Sequence, residues 1–506
     1  MKKMYAFAAT LLAATLAAGA AETFIRGNIG GKNAEIKNDA SGKTSAVVKC
    51  EIPNGFDSID YASLACVGVE KKEGTGNTSL TLWLDGKPVA ACTLPVRDTV
   101  LAAQFIITDA VRKAVAEGKH SLDFKVSQEG IAGAQRPFNL QNADMKIVSG
   151  EKPFDLDAAL RPVFKSGVMY RESVFPMSGE DGSLPKAKLF FTPQKVMEAT
   201  TFDDSGKLVR LQEGKDFKVS GDMFEVLPNS KIRSIPYDMI YSATKEGAEK
   251  FKPYFNFENP KCFAFFREGD WFHKHHIYVT YRHSDSIKSP PGGTDLTKLP
   301  KTLAKLKAGK PVKIVLFGDS ISAGANASGI CRVQPFMPSW GDLVAQKLRA
   351  YYKADVTYLN RALGGMNSPW GDKNAPTLAA ADKPDLAIIA FGMNDRMPAE
   401  EFAKLQKNIM EKIRAQNPNV EFVFVASMRA NPMWKNFAVH DEYRLELKKL
   451  EKTGVAVADV RAAHTALLQK KRFIDMTGNN VNHPNDFLIR VYAQTVLEKL
   501  LPSQGL

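Results

Sequence analysis

Ser320 closes an apolar run, Val312-Lys313-Ile314-Val315-Leu316-Phe317-Gly318-Asp319-Ser320. The run is short, rich in β-branched residues and bounded by Pro311 and Gly318, a pattern that predicts a buried parallel strand. A hydroxyl at the end of such a strand lies on the edge of an open α/β sheet where ligands bind. Beside backbone N–H groups able to hold an oxyanion, it is a candidate nucleophile. Taken alone, Gly-Asp-Ser serves equally well as a cap for the next segment. Three later motifs add chemistry to it: Asn360-Arg361-Ala362-Leu363-Gly364-Gly365, Gly392-Met393-Asn394-Asp395, and Asn480-Val481-Asn482-His483-Pro484-Asn485-Asp486. His483 can take the proton of Ser320 and return it to a leaving group. The backbone N–H groups of Ser320 and Gly365 and the side-chain amide of Asn394 can face the developing oxyanion, where one such donor is typically worth ~10²–10³ in turnover. A glycine at 365 lets the backbone come close to a substrate, and Asn394 donates without a charge that would pair with a carboxylate. Asp319 and Asp395 read as braces of their turns. His440 and His464 are rivals for the base, but each lies in or before a helix, where packing is the expected role.

These residues meet only if each motif falls at the carboxyl end of a strand. After Ser320 the pattern alternates: strands are expected at 356–359, 386–391, 421–426 and 455–458, and helices at 340–352, 399–415, 442–452 and 486–500. Repeating β-α units imply a parallel sheet with helices on both faces. The Gly/Ala/Pro-rich loop 323–339, with Asn326, Ser328, Arg332 and Met337, is expected to shape the substrate site. His483-Pro484 should open the last helix, with Pro484 in its first turn.

The rest of the 506 residues is too long for one more ordinary domain. Met1-Lys2-Lys3, an Ala/Leu-rich stretch and Ala18-Gly19-Ala20 read as a cleavable signal peptide over 1–20. No later segment approaches the ~20 apolar residues of a membrane span, so a periplasmic or secreted protein is expected. A β-sandwich-like domain over 21–150 follows, with strands at 45–52, 63–69, 79–84, 87–94 and 121–127, a hairpin turn at Asp85-Gly86 and a helix at 108–117. A second β-rich domain covers 151–284, with strands at 188–191, 198–203, 207–211 and 217–219. A linker and helix fill 285–310, with the helix expected at 296–310, and the domain with the chemistry covers 311–506. The aromatic-rich stretch 250–283 is read mainly as the core of a small sheet, with a minority of rings available to a sugar. Within it, His273-Lys274-His275-His276 at strand geometry would split its histidines between two faces, which is awkward for a metal, so no metal is expected. The five cysteines are read as buried thiols. The formal net charge of +13 falls to about +11 without Lys2 and Lys3. That suits a solvated surface or an acidic polysaccharide partner. Without aromatics interleaved among the lysines of 301–313, nucleic acid is not an expected target.

Gly318-Asp319-Ser320, Gly365, Gly392-x-Asn394-Asp395 and His483-Pro484 resemble, in order and spacing, the four blocks of the SGNH (GDSL) hydrolases. The resemblance covers about 310–500. It implies a flavodoxin-like three-layer α/β/α domain and ester hydrolysis with no metal or organic cofactor. It also implies Ser320 as nucleophile, Ser320, Gly365 and Asn394 as oxyanion donors, and His483 as base. The family usually carries Asp three residues before the histidine, where this chain has Asn480. Three readings follow: a main-chain carbonyl orients His483, another acid such as Asp475 or Asp486 reaches it, or the site is slow or inactive. With an export signal, a basic surface and two added β-domains, the function expected is that of a secreted serine esterase acting on O-acetyl groups of a poly- or oligosaccharide. The alternatives are an SGNH acyltransferase, lipase or thioesterase, or an inactive glycan-binding protein.

Overall fold

The computed structural model describes residues 21–505, apart from 31–32, 57, 72–75, 97–99, 151–153, 259, 288–290 and 435–436. The expected signal peptide and part of the Pro-rich linker lie outside the described residues.

The C-terminal part is built on five parallel strands: β1 (Val312–Gly318), β2 (Val356–Asn360), β3 (Leu386–Ala390), β4 (Glu421–Ala426) and β5 (Val455–Asp459). Their order is β2-β1-β3-β4-β5, with Ile314 of β1 paired to Tyr358 on one side and Leu386 on the other. Six helices accompany them: α1 (Trp340–Tyr352), α2 (Ser368–Leu378), α3 (Ala399–Gln416), α4 (Val439–Lys449), α5 (Val460–Leu467) and α6 (Asp486–Leu497). The apolar runs of the strands are unbroken because both faces are covered. Alternate residues go to opposite layers: Ile314, Leu316, Ile388 and Val423 pack with α1, α5 and α6, and Val315, Phe317, Ile389 and Phe424 with α2, α3 and α4. This is the three-layer, flavodoxin-like arrangement, and chain connections diverge to either side of β1. Its carboxyl end is therefore the switch point where such sheets bind ligands.

Helix α2 is absent from the sequence reading because Pro369, Gly371 and Pro376 look like a loop. Pro369 falls in the first turn, where no N–H partner is needed, and the Asn367 side chain accepts from Trp370 N–H to cap the helix. Two other expectations need correction. Helix α6 starts at Asp486 and is capped by Asn485, which accepts from Phe487 and Leu488 N–H, so Pro484 stands ahead of the cap. The helix expected at 296–310 is shorter, Pro300–Lys307.

Ahead of the α/β part, residues 21–149 form an all-antiparallel sheet folded over on itself. Its order is Lys87–Thr93, Ser79–Leu84, Ser121–Ser127, Gly42–Glu51, Ala34–Asp39, Phe138–Ser149, Tyr61–Glu70 and Val100–Ile106, with Ala21–Arg26 paired to Phe138–Ser149. One core joins the two halves, with Val48, Leu82 and Phe124 against Leu64, Phe105 and Ile147. Asp85 and Gly86 both have positive φ, 50° and 75°, as the tight hairpin requires.

Residues 154–287 carry three small antiparallel sheets. Their apolar core runs on into the α1/α6 layer, where Val174, Ile277 and Val279 join the cluster of Phe487 and Val491. Every residue of α6 is buried as a result. Trp271–His275 is a helical turn, not the strand assumed above. Among the described residues no helix is long and apolar enough to cross a membrane. All five cysteines are unpaired.

Candidate active site

Strand β1 delivers Ser320 to the sheet edge, two residues past Gly318. A side chain at 318 would meet the Ala390 carbonyl at 2.5 Å and Ser322 Oγ at 2.6 Å, so the strand end closes only on glycine. Asp319 turns its side chain inward, and its Oδ1 accepts from Ile321 N–H at 3.0 Å. It braces the turn, and burial pushes its carboxyl up to about 7. Ser320 itself is buried, and His483 Nε2 lies 2.8 Å from its Oγ.

Gly365 and Asn394 stand at two other strand ends. Gly365 follows β2 in a turn with φ +78°, a conformation that favours glycine. Neither Ser320 N–H nor Gly365 N–H donates to a carbonyl or side chain among the described residues. Asn394, after β3, donates one amide hydrogen to the Met366 carbonyl at 2.9 Å, which leaves the other free. Asp395 ties this loop to α2 by accepting from Ser368 N–H at 2.9 Å and Ser368 Oγ at 3.0 Å. Its carboxyl is raised by burial, with the Ser368 hydrogen bonds opposing. The brace fixes the Asn394 loop against the segment after Gly365.

The histidine sits in a loop folded around Asn479, whose Oδ1 accepts from the N–H groups of Val481, Asn482 and His483 at 2.9–3.0 Å. Behind the ring, Nδ1 faces two acceptors: Asn326 Oδ1 at 2.8 Å and Glu268 Oε2 at 3.0 Å. Asn326 comes from the loop after Ser320, and Glu268 from the middle β-rich part. Burial works against ionisation of Glu268. The hydrogen bond and charge of His483, with the Asn479 and Asn326 amides, outweigh it and hold the carboxyl below its usual range. Asn479 Nδ2 donates to the second carboxylate oxygen at 3.0 Å.

Asn480 stands where the family's acid would be, yet does not contact the ring. With φ +67°, it receives Tyr241 O–H at 3.1 Å and donates to the Phe265 carbonyl at 3.0 Å. Asp475 and Asp486 do not reach His483 either. Asp475 is held by Arg472 and Phe175 N–H, and Asp486 accepts from Ser328 N–H. His440 and His464 are packing residues. His440 Nε2 meets the Asp395 carbonyl and burial lowers the ring to about 4; His464 accepts from Arg429 N–H, and burial beside Arg429 and Arg461 lowers it to about 3.

The 273–276 cluster is structural. His273 Nε2 lies 2.5 Å from the Asn326 carbonyl, so it steadies the loop that carries Asn326. His276 is wedged between the Phe272 and Ile474 carbonyls. No group of three or more His, Cys, Asp or Glu able to hold a metal occurs among the described residues. Sequence reasoning placed Ser320, Gly365, Asn394 and His483 in one loop cluster at the sheet edge; Ser320 and His483 meet there at 2.8 Å, and Gly365 and Asn394 follow the neighbouring strands β2 and β3. It missed Glu268 and Asn479. Glu268 lies 215 positions from His483, and only its place between the aromatic run and the histidine cluster marks it.

Residues 316–487 match the model of the GDSL-like Lipase/Acylhydrolase family. Among solved structures the chain is similar to a two-domain esterase active on acetylated mannans, crystallised with mannopentaose, at 20% identity over 40% of this chain and 53% of that one, TM-score 0.34. It thus spans about half the length of that protein. It is also similar to an acetylxylan esterase from Geobacillus stearothermophilus (16% identity, 37% and 94% covered, TM-score 0.32). A third is a carbohydrate esterase family 3 structure from Talaromyces cellulolyticus (18%, 37% and 94%, TM-score 0.30). No curated protein matches the chain. Residues 316–487 form a GDSL-like lipase/acylhydrolase domain.

Proposed function

We propose that this protein is an exported serine esterase that removes O-acyl groups, O-acetyl above all, from a poly- or oligosaccharide. The observation that carries the reaction is the 2.8 Å contact of Ser320 Oγ with His483 Nε2, beside two uncommitted backbone N–H groups and one free amide hydrogen of Asn394. Ser320 Oγ attacks the ester carbonyl carbon as its proton passes to His483 Nε2. The carbonyl oxygen gains charge and is held by Ser320 N–H, Gly365 N–H and Asn394 Nδ2. His483 then gives the proton to the departing sugar oxygen. Water repeats the sequence on the acyl-enzyme and frees Ser320.

Support for a carbohydrate comes from the signal-like pattern read in residues 1–20, the basic charge and the aromatic residues on both parts that frame the histidine loop. The partly exposed Phe255 ring packs edge-on against Phe266, two residues before Glu268, and against Trp434. Trp434 N–H donates to the carbonyl of Asn431, whose amide holds Asn480. Such faces suit a pyranose.

The test is turnover of p-nitrophenyl acetate, followed by acetate release from a panel of acetylated polysaccharides. Ser320→Ala should cut kcat by ~10⁴-fold or more and abolish labelling by a fluorophosphonate. Wild-type turnover in Ser320→Ala would overturn the reading. Release of longer acyl chains in preference to acetate would overturn the substrate.

A further inference from the structure

The acid expected behind the histidine is missing from its usual place, and the reason is structural. Asn480 spends its side chain on the middle β-rich part. Its Oδ1 accepts from Tyr241 and from the Asn431 amide, and its Nδ2 donates to Phe265. An aspartate at 480 could not make that last bond, because an ionised carboxylate has no proton to give to a carbonyl. The strand that ends at Phe265 leads directly to Glu268. So the residue in the acid's position anchors the segment that brings a carboxylate to the same ring.

We propose that Glu268 is the positioning acid of the site: its carboxylate fixes the ring of His483 through Nδ1–H and balances the charge the ring gains during acyl transfer. The proposal rests on the reading of Ser320 and His483 as nucleophile and base. Both carboxylate oxygens are placed, Oε2 by His483 and Oε1 by Asn479. With Nδ1 donating to this side, Nε2 is left unprotonated toward Ser320 Oγ, the tautomer a general base needs. When Ser320 Oγ bonds to the carbonyl carbon, its proton moves to Nε2 and the ring becomes a cation with both nitrogens protonated. Glu268 remains ionised throughout and takes no proton.

Asn326 shares Nδ1 at 2.8 Å, but a neutral amide can only orient the ring. The other carboxyl that feels the charge of His483 is Asp319, and its bonded oxygen is committed to Ile321 N–H. Among the described residues, the carboxyls coupled to the charge of the ring are Glu268 and Asp319. Of these two, Glu268 is the one hydrogen-bonded to it. The side chain of Glu268 is 47% exposed, so the carboxylate stands at the rim of the site and its replacement should not unfold the chain.

The experiment compares wild type, Glu268→Gln, Glu268→Asp and Ser320→Ala in the full chain. Glutamine keeps an acceptor of the same length without the charge. It should lower kcat by about 10²–10³-fold, less than the ~10⁴ seen where a triad acid is fully enclosed, with KM little changed. The acidic limb of the kcat/KM profile should move to lower pH, since the charge that favours the protonated ring is gone. Glu268→Asp should restore part of the rate and move the limb back, an effect a structural role would not produce. In Ser320→Ala, which does no chemistry, the ring carbon protons of His483 are titrated by NMR with and without Glu268→Gln. A shift to lower pH on losing the carboxylate supports the proposal. An identical titration, or Glu268→Gln with the wild-type rate and pH profile, overturns it. Ester turnover that survives Ser320→Ala overturns the nucleophile reading instead, and the two failures are separate.

Discussion

Two β-rich parts lean on the α/β domain from different sides, and they do different things there. The N-terminal sandwich grips the nucleophile's side from behind. Tyr61 O–H donates to the Gly329 carbonyl at 2.6 Å, Gln104 Nε2 to Ile330 at 3.0 Å, and Lys146 Nζ to Arg332 at 3.4 Å, all along the loop after Ser320. Farther on, Arg361 at the end of β2 pairs with Asp382 and is held by Ser79 and Thr81 of the sandwich. The middle part packs on the histidine's side, and besides bracing it sends Glu268 into the site. One neighbour shapes a loop through its carbonyls; the other contributes a charged group to the ring. A contact made to backbone can be weakened by degrees, whereas a contact that supplies charge cannot be replaced by packing.

Two buried ion pairs allow that difference to be tested. Lys471 and Glu172 are both fully buried, 2.6 Å apart, and pin the middle part to the segment before Thr477. Arg361 and Asp382 pair within the α/β domain, and Arg361 ties that pair to the sandwich through Ser79 and Thr81. Removing one partner from a buried pair strands the other charge and typically costs about 3–5 kcal/mol. Lys471→Met and Arg361→Met should therefore lower the thermal midpoint by similar amounts. Their activities should part company. Lys471→Met loosens the part that carries Glu268 and should reduce kcat in the folded fraction, with the same shift of the acidic limb as Glu268→Gln. Arg361→Met should keep kcat near wild type while it remains folded. Equal losses of kcat in the two variants would erase the distinction.

The same contrast explains what could be read from the chain beforehand. Ser320, Gly365, Asn394 and His483 sit on loops whose strands announce themselves by unbroken apolar runs, and each motif follows its own strand. The parallel sheet and its two helical layers then follow from β-α alternation, whereas the order β2-β1-β3-β4-β5 does not. Glu268 carries no such sign, because its function is defined by a partner 215 positions away and its neighbours are the rings of a small sheet. Asn480 was legible as a departure but not as an anchor, since Tyr241 and Phe265 are brought to it only by tertiary packing. The 273–276 cluster misled through a wrong local geometry: Trp271–His275 turns as a helix, and period-2 reasoning does not apply to it. Helix α2 was hidden by its prolines, which are tolerated by position and by packing on α3.

Acid should strain the histidine's side first. The contacts of the sandwich with the loop after Ser320 involve no histidine, while the middle part carries the buried His276, lowered by burial to about 4, and packs near His464 of α5. His464 lies against Phe473, next to Arg472 and Lys471, and its ring is held neutral at about 3 against an ordinary 6.5. A group whose folded value is depressed in this way takes up its proton first in the unfolded chain. Its contribution is complete above pH 6.5 and is lost as the pH falls from there toward about 3. Each unit of that descent removes about 1.4 kcal/mol, or roughly 2 kcal/mol between pH 7 and 5. Thermal midpoints measured at both values should fall, and His464→Gln should flatten the dependence. A slope unchanged by that substitution would assign the acid sensitivity elsewhere.

The smallest effect belongs to the sandwich itself. Tyr61 is fully buried and stacked on Phe336 at 4.7 Å, so Tyr61→Phe keeps the ring packing and removes one hydroxyl. The Gly329 carbonyl it served still receives Arg332 N–H at 3.3 Å, and no buried acceptor is left bare. The expected loss is about 1 kcal/mol of stability. Because Gly329 lies beyond Asn326 on the same loop, a small part of that loss should reach the site as a drop in kcat of less than about five-fold, the ceiling set by 1 kcal/mol of barrier. Its pH profile should match wild type, since no charge near His483 changes. A loss of kcat on the scale of Glu268→Gln, measured beside it, would mean that the sandwich also positions the reacting groups and that the two β-rich parts are equals after all.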